Sequence, residues 1–200
     1  MDTDIEKLYR QFLKIKKMGY VKSLRDGPTG LGYTFESLLG KDEDRLSLPD
    51  FGSIEIKTMT ILSRRKIHLF NATPDGDLVY PIKRILDLLG YPDKQNPQYK
   101  VFQMDVNAKK DTWIGYYKKM ILYVNDYEKK IELFAYRSNG RPIELQTSWS
   151  FHMLEERLVT KMPYLAIVEA EKKQINGSMY YYYKRISFFK FNVPGSGSTW

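Results

Sequence analysis

Cysteine is absent from the 200 residues and histidine occurs only at His68 and His152. Without cysteine there are no disulfides and no thiolate metal site, which fits a reducing compartment and makes cytoplasmic the expected location. Two histidines argue against a histidine-rich zinc centre. No apolar run is long enough to span a bilayer, and the opening MDTDIEKLYR lacks the apolar core of a secretory leader. A lone His152-x-x-Glu155-Glu156 resembles a metal motif only superficially. It has no second histidine, and Trp149, Phe151 and Leu154 around it read as a helix packed on a core.

What is present is a hydrophobic fraction of 42%, enough for a real core, and an excess of base over acid. Lys and Arg total 32 against 24 Asp and Glu, a net charge of +8. Such a surface attracts polyanions, since neutralising phosphates releases condensed counterions. Composition alone fits a solvated basic surface equally well. The sixteen tyrosines tilt slightly toward nucleic acid, though most aromatics in a domain serve its core.

Hydrophobic spacing predicts a helix over residues 4 to 18, stopped by Gly19, then a Gly- and Pro-bearing loop KSLRDGPTGLGY. A second helix is expected from Tyr33 to Gly40, followed by an acidic solvated turn at 41 to 45. Leu46 and Leu48 lead into the turn Pro49-Asp50-Phe51-Gly52. Ser53 to Met59 alternates Ile54 and Ile56 with Glu55 and Lys57, a strand with one apolar and one charged face. Further strands are expected at 61 to 70 and at VFQMDV, KMILYVND, KIELFAYR and PYLAIVEAE. Helices are expected near Pro81 to Leu89 and Ser150 to Val159, and a surface loop at 91 to 100. Asn176-Gly177 signals a hairpin. The fold class is α/β: a mixed sheet with the site at its edge and helices on both faces.

Asp50, Glu55 and Lys57 form the pattern P-D-x4-E-x-K. On a strand Glu55 and Lys57 share a face. Five extended residues span roughly 16 Å, so Asp50 must turn back through Phe51-Gly52-Ser53 to meet Glu55. Two converging carboxylates suit Mg2+, and the lysine is placed to orient and deprotonate an attacking water. E-x-K recurs at Glu128 and Glu171, but Tyr123 and Ala166 stand where the upstream aspartate would be. On this pattern alone, a surface strand with an ordinary ion pair is an equal alternative.

The run GPTGLGYTFESLLGKDEDRLSLPDFGSIEIKT (27 to 58) resembles the MvaI/BcnI group of type II restriction endonucleases, MutH-related PD-(D/E)XK nucleases. TSWSFHMLEERLVTKMPYLAIVEAEKKQINGSMYYYYK (147 to 184) resembles the same group in register. The resemblance implies a restriction-endonuclease-like sheet flanked by helices and Mg2+-dependent cleavage of double-stranded DNA at a short sequence, by a monomer. It implies Asp50 and Glu55 as metal-binding carboxylates, the carbonyl of Ile56 as a further ligand, Lys57 as catalytic lysine and Glu36 beside the metal. Without it, Glu36 reads as a helix-surface residue. A MutH-like nicking enzyme and a non-catalytic DNA-binding module are the rival readings.

Lys22, Arg25, Arg64, Arg65 and Lys66 flank the site in sequence and are candidate DNA contacts, each weighed against an ordinary solvated charge. Thr29, Gly30 and Gly32 precede the Glu36 helix, where N–H groups can meet a phosphate, although a turn that needs glycine explains them more simply. Tyr180 to Tyr183 either contact nucleotides or alternate in and out of a core. The expected organisation is a nuclease domain over 1 to 193, its DNA-recognition lobe truncated at the C-terminal side relative to the family, with a flexible Gly/Ser tail over 194 to 200. The recognition sequence is not legible, because base readout depends on loop geometry.

Overall fold

The computed structural model describes residues 3–40, 49–63, 66–76, 79–114 and 118–191. Along the chain run α1 (Thr3–Lys17), β1 (Val21–Lys22), α2 (Gly30–Leu38), β2 (Ile54–Thr60), α3 (Val79–Leu89), β3 (Tyr91–Pro92), β4 (Lys100–Val101), β5 (Thr112–Ile114), β6 (Lys118–Asn125), β7 (Lys130–Arg137), β8 (Pro142–Ile143), β9 (Ser148–Ser150), α4 (Phe151–Lys161), β10 (Tyr164–Ile175) and β11 (Ser178–Lys190). They divide into two units, one from residues 1–69 with 156–200 and one from 70–155.

The first unit is built on a four-stranded mixed sheet of order β1-β11-β10-β2. β10 is antiparallel to β11 and parallel to β2, so the strand carrying the E-x-K pattern lies at the sheet edge, as expected. β10 is paired on both sides, and its apolar run YLAIVEA suits a strand without an open edge. Leu8, Phe12 and Ile15 recur at helical spacing on α1 and pack into one core with Ile54, Ile56, Ala166, Val168 and Tyr183. Phe35 of α2 meets the ring of Tyr183 with centroids 4.9 Å apart, and the Tyr183 hydroxyl donates to the Leu31 carbonyl at 2.8 Å. Burial, with the neighbouring Tyr181 and Glu36 adding to it, holds the Tyr183 phenol well above its ordinary range.

The second unit carries a sheet of order β5-β6-β7-β8, with β9 also on β7, and the small hairpin β3–β4. Its core gathers Leu89, Met120, Leu133, Ala135, Ile143 and Leu145. β6 and β7 cover KMILYVN and KIELFAYR as the alternation predicts.

Several expectations are corrected. The helix expected from Tyr33 begins at Gly30, so Gly30 and Gly32 lie inside α2, with Thr29 as its N-cap. Gly30 is required by packing: a Cβ there would lie 2.3 Å from the Arg25 carbonyl oxygen. Among the described residues of 61 to 70 no strand forms. Ile61 donates to Ala170, Ser63 then turns back to Thr60, and Leu62 is 92% exposed. The loop expected at 91 to 100 is bounded by the β3–β4 ladder, and in VFQMDV only Val101 is in a strand. Residues 41 to 48 lie outside the described residues, with the turn and Leu46 and Leu48 placed there, as do Arg64 and Arg65. No helix among the described residues is long and apolar enough to cross a membrane.

Candidate active site

The site begins with a tight turn. Phe51 and Ile54 exchange both backbone hydrogen bonds at 2.9 Å, which closes the chain on itself immediately before β2. Gly52 at its tip has φ +56, a conformation that favours glycine. A Cβ there would also lie 2.2 Å from Oδ2 of Asp4, the oxygen that accepts the Ser53 N–H at 3.1 Å and the Ser53 hydroxyl at 3.3 Å. The first turn of α1 therefore braces the turn that carries Asp50. A carboxylate is favourably placed there, because the N-terminal end of a helix is partially positive.

The turn brings Asp50 back onto the strand, as the spacing required. Its Oδ2 accepts the Ile56 N–H at 2.9 Å. In a strand the N–H and C=O of one residue point to the same side. The Ile56 carbonyl is thus directed, with Asp50, to the edge of β2 that faces away from β10.

Glu55 departs from expectation. The alternation placed it on a charged, solvated face, yet it is 2% exposed. One oxygen, Oε1, accepts from the Lys57 ammonium at 2.5 Å and lies 4.0 Å from that of Lys161. The other, Oε2, is buried and accepts no hydrogen bond from the described residues. Burial raises the Glu55 carboxyl above the usual range and the charge of Asp50 adds to the rise, while Lys57 and Lys161 oppose it. Lys161, in the last turn of α4, was not found by sequence reasoning. No local pattern links it to Glu55; only the fold does.

Glu36 lies on α2 where the helix meets β2. A Cβ on Gly32 would lie 3.6 Å from Glu36 Oε1 and 3.4 Å from Thr58 Oγ1. Its charge is felt at the Tyr183 hydroxyl. Among the described residues no group of three or more His, Asp or Glu side chains converges. The charge of Asp50 acts on Glu55, and Glu36 completes no such group with them.

Lys57 opens into a cleft of about 740 Å³ along the β2 edge. Thr58 to Thr60, Ser63, Lys66 and His68 line it on the strand side, with Gly27, Pro28 and Leu31 and then Lys172, Met179 and Tyr181 on the others. Of the candidate DNA contacts, Lys66 lies in this cleft. Lys22 is exposed on β1, and the Arg25 guanidinium stacks 3.7 Å above the Tyr33 ring. Thr29 is exposed and makes no side-chain cap bond. The tyrosine run alternates as a strand does, with Tyr181 and Tyr183 buried and Tyr180 and Tyr182 half-buried.

No curated protein sequence matches the chain. Among solved structures it is similar to one titled "Restriction endonuclease MvaI-cognate DNA substrate complex", with 27% identity and TM-score 0.86 over 95% of this chain and 76% of that one. It is also similar to "Restriction endonuclease MvaI in the absence of DNA", with 26% identity and TM-score 0.54 over 95% of this chain and 75% of that one. The family model described as MvaI/BcnI restriction endonuclease family matches residues 9–192. With Glu55 and Lys57 on an edge strand, Asp50 on the turn that leads into it and a match over nearly its whole length, the chain belongs to the MvaI/BcnI restriction endonuclease family.

Proposed function

We propose that this restriction endonuclease hydrolyses phosphodiester bonds of double-stranded DNA at the edge of β2, using Mg2+ and the side chains of Asp50, Glu55 and Lys57. The observation that carries the reading is the pair Asp50 and Glu55, brought together by the Phe51–Ile54 turn beside a lysine that opens into a cleft.

The donor set fits a hard divalent cation. Two carboxylates and the Ile56 carbonyl supply oxygen only, and the buried Oε2 of Glu55 lacks the partner that a hydrated cation provides. When bound, the ion supplies positive charge against the scissile phosphate as negative charge develops there. Lys57 has a different task. Held by Glu55 at the mouth of the cleft, its ammonium orients the attacking water and stabilises the phosphate oxygens. Glu55, which holds Lys57, would also hold the ion, so one side chain would serve both groups. Asp50 is aimed by the Ile56 N–H, so it needs no rearrangement on loading. Glu36, on the α2 side of the strand, acts at longer range, by holding water near Thr58 or tuning Lys57. Lys66 contacts the DNA backbone from the cleft, with Lys22, Arg25, Thr29, Arg64 and Arg65 as further contacts. The enzyme works as a monomer in the cytoplasm.

The test is direct. Purified protein is incubated with plasmid and Mg2+, and the ends of the products are sequenced. Cleavage at one short sequence supports the reading, nicks confined to one strand would favour a MutH-like nickase, and no scission in Mg2+ or Mn2+ would overturn it.

A further inference from the structure

β10 and β11 continue past the end of the catalytic strand. The last register pair of β2 with β10 joins Thr60 to Ala170, whereas β10 and β11 stay paired out to Ile175 and Ser178. Asn176 and Gly177 close the ribbon with φ of 48 and 78, the left-handed pair that a two-residue hairpin turn requires. A free two-stranded ribbon is marginal in water. This one is braced at its base, where Val21 and Lys22 pair with Tyr181 and Tyr180 and the Ser23 N–H donates to the Met179 carbonyl at 2.8 Å. From Lys172 to Gly177 every residue is exposed.

The base of the ribbon is also a wall of the cleft that holds Lys57, through Lys172, Met179 and Tyr181. Its charge is one-signed. The nearby Glu171 is taken up by the Lys184 ammonium at 2.5 Å and the Tyr20 hydroxyl at 3.0 Å. The Lys173 ammonium lies 5.9 Å from the centre of the Tyr20 ring. Lys172 lines the cleft and pairs with no carboxylate among the described residues. In register, Lys57 stands beside Ile167. Five further residues at about 3.3 Å each place Lys172 about 17 Å along the sheet. At a rise of about 3.4 Å per nucleotide, that is roughly five base steps.

We propose that the β10–β11 ribbon is a DNA-backbone contact, with Lys172 binding a phosphate within about five nucleotides of the bond that Lys57 addresses. The assignment rests on the nuclease reading. A two-stranded ribbon is narrow enough to follow a groove, and a flexible ammonium suits a single phosphate oxygen.

Binding of the full chain to a short duplex carrying its cut sequence, measured in Ca2+ across a KCl series, tests this. Lys172→Ala should make the plot of log affinity against log salt shallower by about 0.9, the share of one phosphate contact. Lys14→Ala removes the same charge from an exposed position on α1 and should leave the slope unchanged. Methylphosphonates placed one at a time near the cut should reveal one position that weakens the wild type and has no effect on Lys172→Ala. Equal slopes for wild type and Lys172→Ala, or an equal drop in Lys14→Ala, would overturn the ribbon contact and leave the nuclease reading standing. A wild-type chain that neither binds nor cuts duplex DNA would overturn both.

Discussion

The ammonium of Lys161 stands 4.0 Å from Oε1 of Glu55, the oxygen that Lys57 already holds at 2.5 Å. One carboxylate oxygen thus faces two cations from distant parts of the chain. Lys161 is too far for a hydrogen bond and acts on Glu55 through charge, an interaction of about 1–4 kcal/mol at this distance in a partly screened setting. Lys161→Ala is expected to lower the single-turnover cleavage rate about tenfold, through loosened Glu55 and Lys57. It should also lower the Mg2+ concentration for half-maximal rate, because a competing cation has gone. A loss as deep as that of Lys57→Ala would make Lys161 catalytic in its own right.

Asp50→Ala and Lys57→Ala should each reduce cleavage by at least about a hundredfold, the usual scale for removing one preorganised charge from a developing transition state. Both side chains are partly exposed, so folding should persist, as circular dichroism would verify. DNA binding in Ca2+ should survive in Lys57→Ala. Glu36→Gln should reduce the rate with binding retained. Near-normal cleavage by Lys57→Ala would remove the lysine from the mechanism.

Glu55→Gln should abolish cleavage and yet raise the thermal midpoint of the metal-free protein. A buried carboxylate with one unbonded oxygen beside Asp50 is destabilising, by about 1–3 kcal/mol for the unmade hydrogen bond. The neutral amide removes the repulsion and can donate to Asp50. Because the folded-state pKa of Glu55 is raised, the penalty is present above that pKa and disappears once pH falls below the ordinary carboxylate value. The stability gap between the two proteins should therefore close in acid. It should also narrow when Mg2+ is added and reopen with a chelator. A variant less stable than wild type at neutral pH without metal would contradict this.

Gly52→Ala combines two faults: a side chain at φ +56 and a Cβ 2.2 Å from Asp4 Oδ2. Denaturant titration should show a loss of about 2 kcal/mol or more. Gly140, at φ +80 with nothing within 4 Å of its would-be Cβ, isolates the conformational part, and Gly140→Ala should lose only about 1 kcal/mol. Cleavage should fall in the first variant alone, since only that turn carries Asp50.

Periodicity read well where one face is buried and the other wet. α1, β6, β7 and the Asn176-Gly177 hairpin all appear within a residue or two of their expected places. It failed where burial and strand pairing part company. Phe102, Met104 and Val106 alternate and pack on the second unit's core, yet only Val101 of that run joins a ladder. Glycine misled in a similar way. Gly30 and Gly32 were read as turn residues before a helix, but they lie in its first turn, where Arg25 keeps Gly30 small. Asp50, Glu55 and Lys57 were legible because they sit on one short turn and strand. Asp4, Lys161 and Lys172 reach the site or its cleft through tertiary contacts, which no local spacing records.

The first unit is assembled from two stretches of chain, and residues 70 to 155 intervene between them. β2 therefore leaves the ribosome with Asp50, Glu55 and Lys57 long before β10 and Lys161 exist to receive it. At about 5–20 residues per second, translating the intervening unit takes roughly 4 to 17 s. Parallel pairing over so wide a separation is also among the slower steps a chain makes. The nascent polypeptide thus has no finished sheet to hold β2 until the intervening unit and β10 have been made, and the cleft that Lys57 opens into cannot close around it before then.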